Sequence, residues 1–167
     1  MVCGVCGYFN RGYICARCGA FICAGAQTRQ VVPNPPAQRL KTDRNLAVFV
    51  VLTLITLGIY GIVFYCKMAK DINTIASRYD GRTTMNFLLV ILLSLLTLGI
   101  FGFYWFHTTF DRIGDELGRR GIDYAFDAAT FWLWGVLGAF IIVGPFICIH
   151  KECMAMNKLC EHYNYYG

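Results

Sequence analysis

Charge is what this chain of 167 residues has least of, with Asp, Glu, Lys and Arg together making up 15% of it. The scarcity is uneven. None of the four occurs between Arg44 and Lys67, between Arg82 and Asp111, or between Asp127 and Lys151. Hydrophobic residues make up 57% of the chain and the mean hydropathy is +0.50. A soluble domain of this size needs a more polar surface, so the composition points to a membrane protein. Each charge-free gap holds an apolar core, near 46–66, 87–106 and 131–150. Twenty residues of helix rise roughly 30 Å, about the hydrocarbon thickness of a bilayer. Three membrane helices are expected there, with buried core helices of a soluble protein as the alternative.

Other absences narrow the function. There is no phosphate-cradling glycine loop, no nucleophile elbow and no HExxH helix, so no enzymatic activity is expected. Asp111, Asp115, Glu116, Asp123 and Asp127 cluster between the second and third apolar segments. Paired carboxylates can do acid–base chemistry or bind Mg2+. The simpler reading is a solvated acidic loop with Arg112, Arg119 and Arg120 as counterions. The net charge of +5 is modest and spread along the chain, which excludes nucleic acid as an expected partner. Charges inside the apolar segments, the usual mark of ion or proton paths, are missing as well. The opening residues are polar and cysteine-rich and do not read as a secretory signal.

What those opening residues do contain is a metal-ligand pattern. Cys3, Cys6, Cys15 and Cys18 form C-x2-C-x8-C-x2-C, and two such pairs let four thiolates converge on one structural Zn2+. Two disulfides or an iron–sulfur site are the competing readings. CGVCG and CARCG make residues 1–22 resemble the short zinc ribbons that begin many prokaryotic membrane proteins, although the spacer between the pairs is short. Reduced thiolates imply a reducing compartment and so a cytoplasmic N-terminus. The expected organisation is a zinc ribbon over 1–23, a linker over 24–45 and a membrane domain over 46–167. VVPNPPAQ in the linker holds three of the four prolines, and RLKTDR supplies basic groups suited to anionic headgroups.

Inside the membrane domain a hexapeptide recurs: TLGIYG at 56–61 and TLGIFG at 97–102. The residues singled out are Thr56, Gly58, Tyr60 and Gly61, then Thr97, Gly99, Phe101 and Gly102. Glycine permits close approach or local unwinding, and threonine can bond back to a carbonyl one turn earlier. The motif therefore reads as a bend-and-packing device near the membrane boundary. IIVGPF (141–146) stands as a degenerate third copy, and NTIASRYD (73–80) is echoed by NKLCEHYN (157–164). Three tandem units follow, each an apolar helix, a glycine-containing bend and an amphipathic extension. In the extensions Met68, Ile72, Ile75 and Tyr79 share a helical stripe, as do Phe106, Phe110, Ile113 and Leu117. The third stripe, Ile149, Cys153, Met156, Cys160 and Tyr163, gives its cysteines a packing role; a second metal site using His150, Cys153, Cys160 and His162 is the alternative.

TLGIYGIVFY and TLGIFGFYWF, each followed by an amphipathic segment, resemble the prokaryotic domain of unknown function 4234, a family of small multi-pass membrane proteins. The resemblance implies a fold and a location in the cell (inner) membrane, and no activity. The fold class expected is thus an all-α membrane protein with three repeated helices and a small N-terminal zinc ribbon. Basic residues divide almost evenly between the two sides, so the zinc site orients the chain: N-terminus cytoplasmic, three crossings. Re-entrant hairpins, with all three extensions on the cytoplasmic side, are the alternative. The expected function is a non-enzymatic adaptor or scaffold. Its partners would be the lipid bilayer and a protein partner or a second copy of itself. A subunit of a small homo-oligomeric channel or transporter is the other reading.

Overall fold

A computed structural model describes residue 36 and residues 38–167. The described residues form helices and turns and no strand: α1 (Leu46–Ile55), α2 (Ile59–Asp80), α3 (Phe87–Leu96), α4 (Ile100–Arg119), the short α5 (Ala128–Thr130) and α6 (Gly144–Tyr166). A π-helical turn (Phe131–Val136) and a 3-10 turn (Leu137–Ile141) join α5 to α6.

The three apolar segments are not three long helices, which corrects the expectation for 46–66, 87–106 and 131–150. The first breaks after Ile55, the second after Leu96, and the third is an irregular arm up to Ile141. Among the described residues no helix is long and apolar enough to cross a membrane. The physical reason lies in the recurring hexapeptide. Leu57 and Gly58 take successive positive φ of 51° and 96°, and Leu98 and Gly99 repeat this at 52° and 91°. Two left-handed residues in a row end a right-handed helix. The chain therefore reverses instead of bending and continuing. Phe49 of α1 packs edge-on against Phe64 of α2 with ring centroids 4.8 Å apart. Phe87 of α3 lies 5.0 Å from Trp105 of α4. These pairings make antiparallel hairpins, α1–α2 and α3–α4.

Each apolar arm starts with a side-chain cap. Asn45 accepts from the Ala47 amide, Asn86 from Leu88 and Asp127 from Thr130, at successive spacings of 41 residues. Such caps satisfy amides that the first turn leaves orphaned. Ahead of each cap the chain is held by the long helix of another hairpin. The Asn73 carboxamide of α2 exchanges two hydrogen bonds with the backbone of Thr84. Asn157 of α6 does the same with the backbone of Arg44. In α4 the corresponding place is taken by Gly114, against which the backbone of Phe126 lies directly. Hairpin one thus grips the start of the second, the second that of the third, and the third that of the first.

The long helices α2, α4 and α6 outlast their arms, and their far halves pack together. Met68, Ile72 and Ile75 meet Phe110, Ile113 and Leu117, and Cys153, Met156, Leu159 and Cys160, all fully buried. The amphipathic stripes therefore form the core, with Phe106, Ile149 and Tyr163 partly buried against it and Tyr79 about one-third exposed. Each long helix begins at its turn and ends in this shared base, so all three turns lie at the opposite end.

Gly114 offers a sharp test. A Cβ there would stand 2.3 Å from the Phe126 carbonyl oxygen and 3.2 Å from the Asp127 Cα, both backbone atoms that cannot swing away. Gly114→Ala is expected to cost about 1–3 kcal/mol or more, read as a lowered melting temperature in mild detergent. Gly118→Ala, on the same helix with nothing within 4 Å of the new methyl group, should be neutral or stabilising by up to about 1 kcal/mol. Equal losses for both would remove the close Phe126 contact as the explanation.

Candidate functional site

The turns are built alike down to single hydrogen bonds. The Thr56 hydroxyl donates to the Leu52 carbonyl (2.7 Å) and accepts from the Tyr60 amide (2.8 Å), linking the end of α1 to the start of α2. Thr97 does the same with Leu93 (2.9 Å) and the Phe101 amide (3.1 Å). The Gly58 amide closes on the Thr53 carbonyl and that of Gly99 on the Ser94 carbonyl. Gly61 faces Thr53, and Gly102 faces Ser94, where an added Cβ would sit 3.1 Å from Oγ. All eight residues singled out from the hexapeptides thus build two turns, with Tyr60, Gly61, Phe101 and Gly102 in the first turn of the return helices.

The tips carry the feature that bears most on function. Leu57 is 94% exposed and Leu98 95%, each in the left-handed region. At the third turn Ile142 has φ 62° and is 76% exposed. In water such positions are taken by Gly, Asn or Asp, because an L side chain with positive φ is strained and a β-branched one more so. Here the strain is accepted and an apolar residue is kept at each apex. Around them Leu54, Ile55 and Ile59, Leu95, Leu96 and Ile100, and Phe140, Ile141 and Val143 are exposed too. One end of the molecule is a continuous apolar face, of a kind that marks a membrane or protein contact.

The opposite end is polar and tightly paired. The guanidinium of Arg112, buried on α4, donates to both carboxylate oxygens of Asp80 (2.6 and 3.1 Å), to Asn73 (2.6 Å), Thr84 (2.7 Å) and Ser77 (3.0 Å), and to the Arg82 carbonyl (2.6 Å). Burial raises the Asp80 pKa, but hydrogen bonds from Arg112 and the Arg82 amide outweigh this and hold it below the usual value. Arg44 pairs with Asp71. There burial wins over the attraction of Arg44, and the Asp71 pKa is raised. Glu116 is buried and bonded to both Arg119 and Arg120, and Arg120 lies 3.0 Å from the His162 ring. Burial first, then the charges of Arg120 and Arg119, push the His162 pKa down.

Between the two ends sits one acid that no motif singled out, although it stands three residues after Ile149 and four before Met156 on the third stripe. Glu152 of α6 is 1% exposed within the helix core. Its Oε2 accepts a 3.3 Å hydrogen bond from the Tyr65 hydroxyl, and its Oε1 has no partner. Burial drives its pKa up to about 8, against the smaller opposing pulls of Tyr65 and Arg44. Burial therefore favours its protonated, neutral form.

Several sequence expectations can be placed against this arrangement. Cys3, Cys6, Cys15 and Cys18, expected from their spacing to hold zinc, lie outside the described residues. Cys153 and Cys160 are core residues, and burial raises the Cys153 thiol to about 12. Among the described residues no three His, Cys, Asp or Glu side chains gather in a way that could hold a metal ion. The acidic loop separates into different roles: Glu116 is paired with arginines and Asp127 caps α5. Arg112 is no mere counterion of that loop, since it organises the α2–α3 connection. The caps Asn45, Asn86 and Asp127 went unrecognised in the sequence, although an Asn or Asp just before an apolar run is the signal that would have found them. The carboxamides of Asn73 and Asn157 showed only as a register match.

Compared with known proteins, residues 44–115 match a family model described as Domain of unknown function (DUF4234), covering the first hairpin and the second as far as the last turn or so of α4. No curated protein and no solved structure matches the chain.

Proposed function

Because residues 44–115 belong to this family of unknown function (DUF4234), which brings no activity with it, we propose from the geometry that the protein is a non-enzymatic membrane scaffold seated by three re-entrant apolar hairpins. The observation that carries this is the apex of each turn: Leu57, Leu98 and Ile142, exposed and apolar where backbone conformation favours a polar residue or glycine. An arm of ten residues such as α1 or α3 rises about 15 Å, half of a hydrocarbon core of about 30 Å. Such an arm reaches the bilayer midplane and returns. The paired ends of α2, α4 and α6, and the linker before Arg44, then stay together on one aqueous side. Spacings of 41 residues between the caps support reading the hairpins as three copies of one unit.

On this reading the N-terminal cysteine pairs would hold one structural Zn2+ on the same side as the base, as a docking module for a protein partner. The inner membrane with a cytoplasmic base suits reduced thiolates.

Two experiments test the seating. Cysteines introduced at Arg78, Asp111 and Glu161, all exposed on α2, α4 and α6, are expected to label alike with a membrane-impermeant reagent, measured against the unsubstituted chain. Three crossings would instead set Asp111 apart from the other two. The triple variant Leu57→Asp, Leu98→Asp, Ile142→Asp should leave helix content unchanged, because none of these side chains is buried. It should move the protein from the membrane pellet to the soluble fraction, since a carboxylate near the bilayer centre costs about 2.5–3.5 kcal/mol each. A triple variant that stays fully in the pellet ends the hairpin proposal.

A further inference from the structure

Between α1 and α2 a groove of about 390 Å³ runs from the membrane-facing half of the first hairpin down to the chain segment before Arg44. Its two halves differ chemically. Toward the tip it is lined by Val48, Tyr60 and Val63, and toward the base by Lys41, Lys67 and Lys70. Residues 60, 63, 67 and 70 follow helical spacing, so one face of α2 changes from apolar to cationic along its length. Among the described residues neither lysine of α2 is in an ion pair, because the nearby Asp71 is held by Arg44. With Arg39 also on the rim, Asp43 is the only other acid in the groove, and the lower half is net positive.

The corresponding places on α4 are Thr108 and Asp111, so the second hairpin has no cationic counterpart. The groove beside α4 is instead apolar, lined by residues such as Ile91, Leu95, Phe103 and Phe131. On α6 the corresponding places are Lys151 and Met154, so the pair of lysines belongs to the first hairpin alone, and a general attraction to an anionic surface would not require that pairing beside an apolar wall.

We propose that this groove binds one anionic phospholipid of the leaflet into which the hairpins dip. The phosphodiester would lie on Lys67, Lys70 and Lys41, and an acyl chain along Val48, Tyr60 and Val63. The depth agrees: Lys67 lies nine residues beyond Gly58, about 13 Å below the tip, where hydrocarbon gives way to headgroups when the tip is at the midplane. Lysine suits that level, with its stem against apolar surface and its ammonium at the phosphate. The proposal rests on the re-entrant reading above.

The test uses the full chain with vesicles of phosphatidylcholine alone or with phosphatidylglycerol added, followed by extraction into mild detergent and native mass spectrometry. Flotation with both vesicle types is expected, with about one phosphatidylglycerol retained per chain. Lys67→Gln with Lys70→Gln should lower that retention roughly tenfold or more. Arg78→Gln with Arg82→Gln, equal in charge removed but outside the groove, should leave it unchanged. Equal losses in the two double variants, or equal retention of phosphatidylcholine, would overturn the site and leave the hairpin reading standing. Displacement of the lipid by inorganic phosphate alone would make the occupant a soluble phosphate and overturn the lipid assignment. Failure to float with either vesicle would refute the membrane reading itself.

Discussion

Arg112→Ala is expected to lower stability by roughly 3–5 kcal/mol, the usual cost of removing one partner of a buried, hydrogen-bonded ion pair. The reason is how much converges on one guanidinium. Asp80 closes the end of α2, Asn73 and Ser77 lie on its inner face, and Thr84 and the Arg82 carbonyl belong to the connection leading into α3. Without Arg112 the half-buried Asp80 carboxylate loses both bonds from it, and the α2–α3 connection loses its bonds from that guanidinium, keeping the one that Trp105 of α4 donates to the Met85 carbonyl. Asn73 would still hold Thr84, so the second arm should loosen at its start without detaching. Arg112→Lys should recover less than half of the loss, because an ammonium on a flexible stem cannot reproduce a planar fork with partners on several sides. Thermal unfolding in mild detergent measures both. A lysine variant as stable as the parent would show that charge alone, and not the fork, is what the site requires.

The second large effect is a stability that falls as pH rises, and its source is Glu152. In the folded chain the carboxyl keeps its proton up to about pH 8, whereas an unperturbed glutamate releases it near 4.5. Below the lower value both states are protonated and the folded state has its full stability. Between the two values only the unfolded chain has released its proton, so every rise in pH favours unfolding. The loss accumulates until pH passes the folded value, reaching on the order of 4 kcal/mol by pH 8. For a chain of this length that amounts to a melting temperature roughly ten degrees lower at pH 8 than at pH 5. Glu152→Gln keeps the shape, cannot ionise and should flatten the profile. Asp71, also raised by burial, adds a smaller decline in the same sense at lower pH, and Gln at position 152 leaves that contribution in place. Parallel profiles for the parent and the variant would show that Glu152 does not hold its proton as argued.

The two effects divide what was legible in the sequence from what was not. Hydropathy and helical spacing marked the apolar segments and the stripes of α2, α4 and α6, because a 3.6-residue period reports which face is buried whatever it is buried against. The recurring TLGIYG and TLGIFG marked the places where something happens to the backbone. They did not reveal that the chain turns back there. A glycine in a long apolar run permits a bend, a close approach or a reversal, and only the paired positive φ of Leu57 and Gly58 decides among them. The first two segments, long enough to span, became arms of half that length for this reason.

Glu152 was hidden for a different reason. On its own helix it follows His150 and Lys151 and looks like one more polar residue, and only the packing of α2 and α4 around α6 makes it a buried acid beside Tyr65. Arg112 likewise read as a counterion of nearby acids until tertiary contact set it against Asp80, 32 residues earlier. Composition, period and motif by themselves determined helical apolar segments with amphipathic extensions, because those properties depend on residues close in sequence. The direction in which each arm leaves its turn, the shared end of the three long helices and the protonation of their buried acid were decided by tertiary structure. These depend on a backbone torsion and on groups tens of residues apart, whose positions no local pattern encodes.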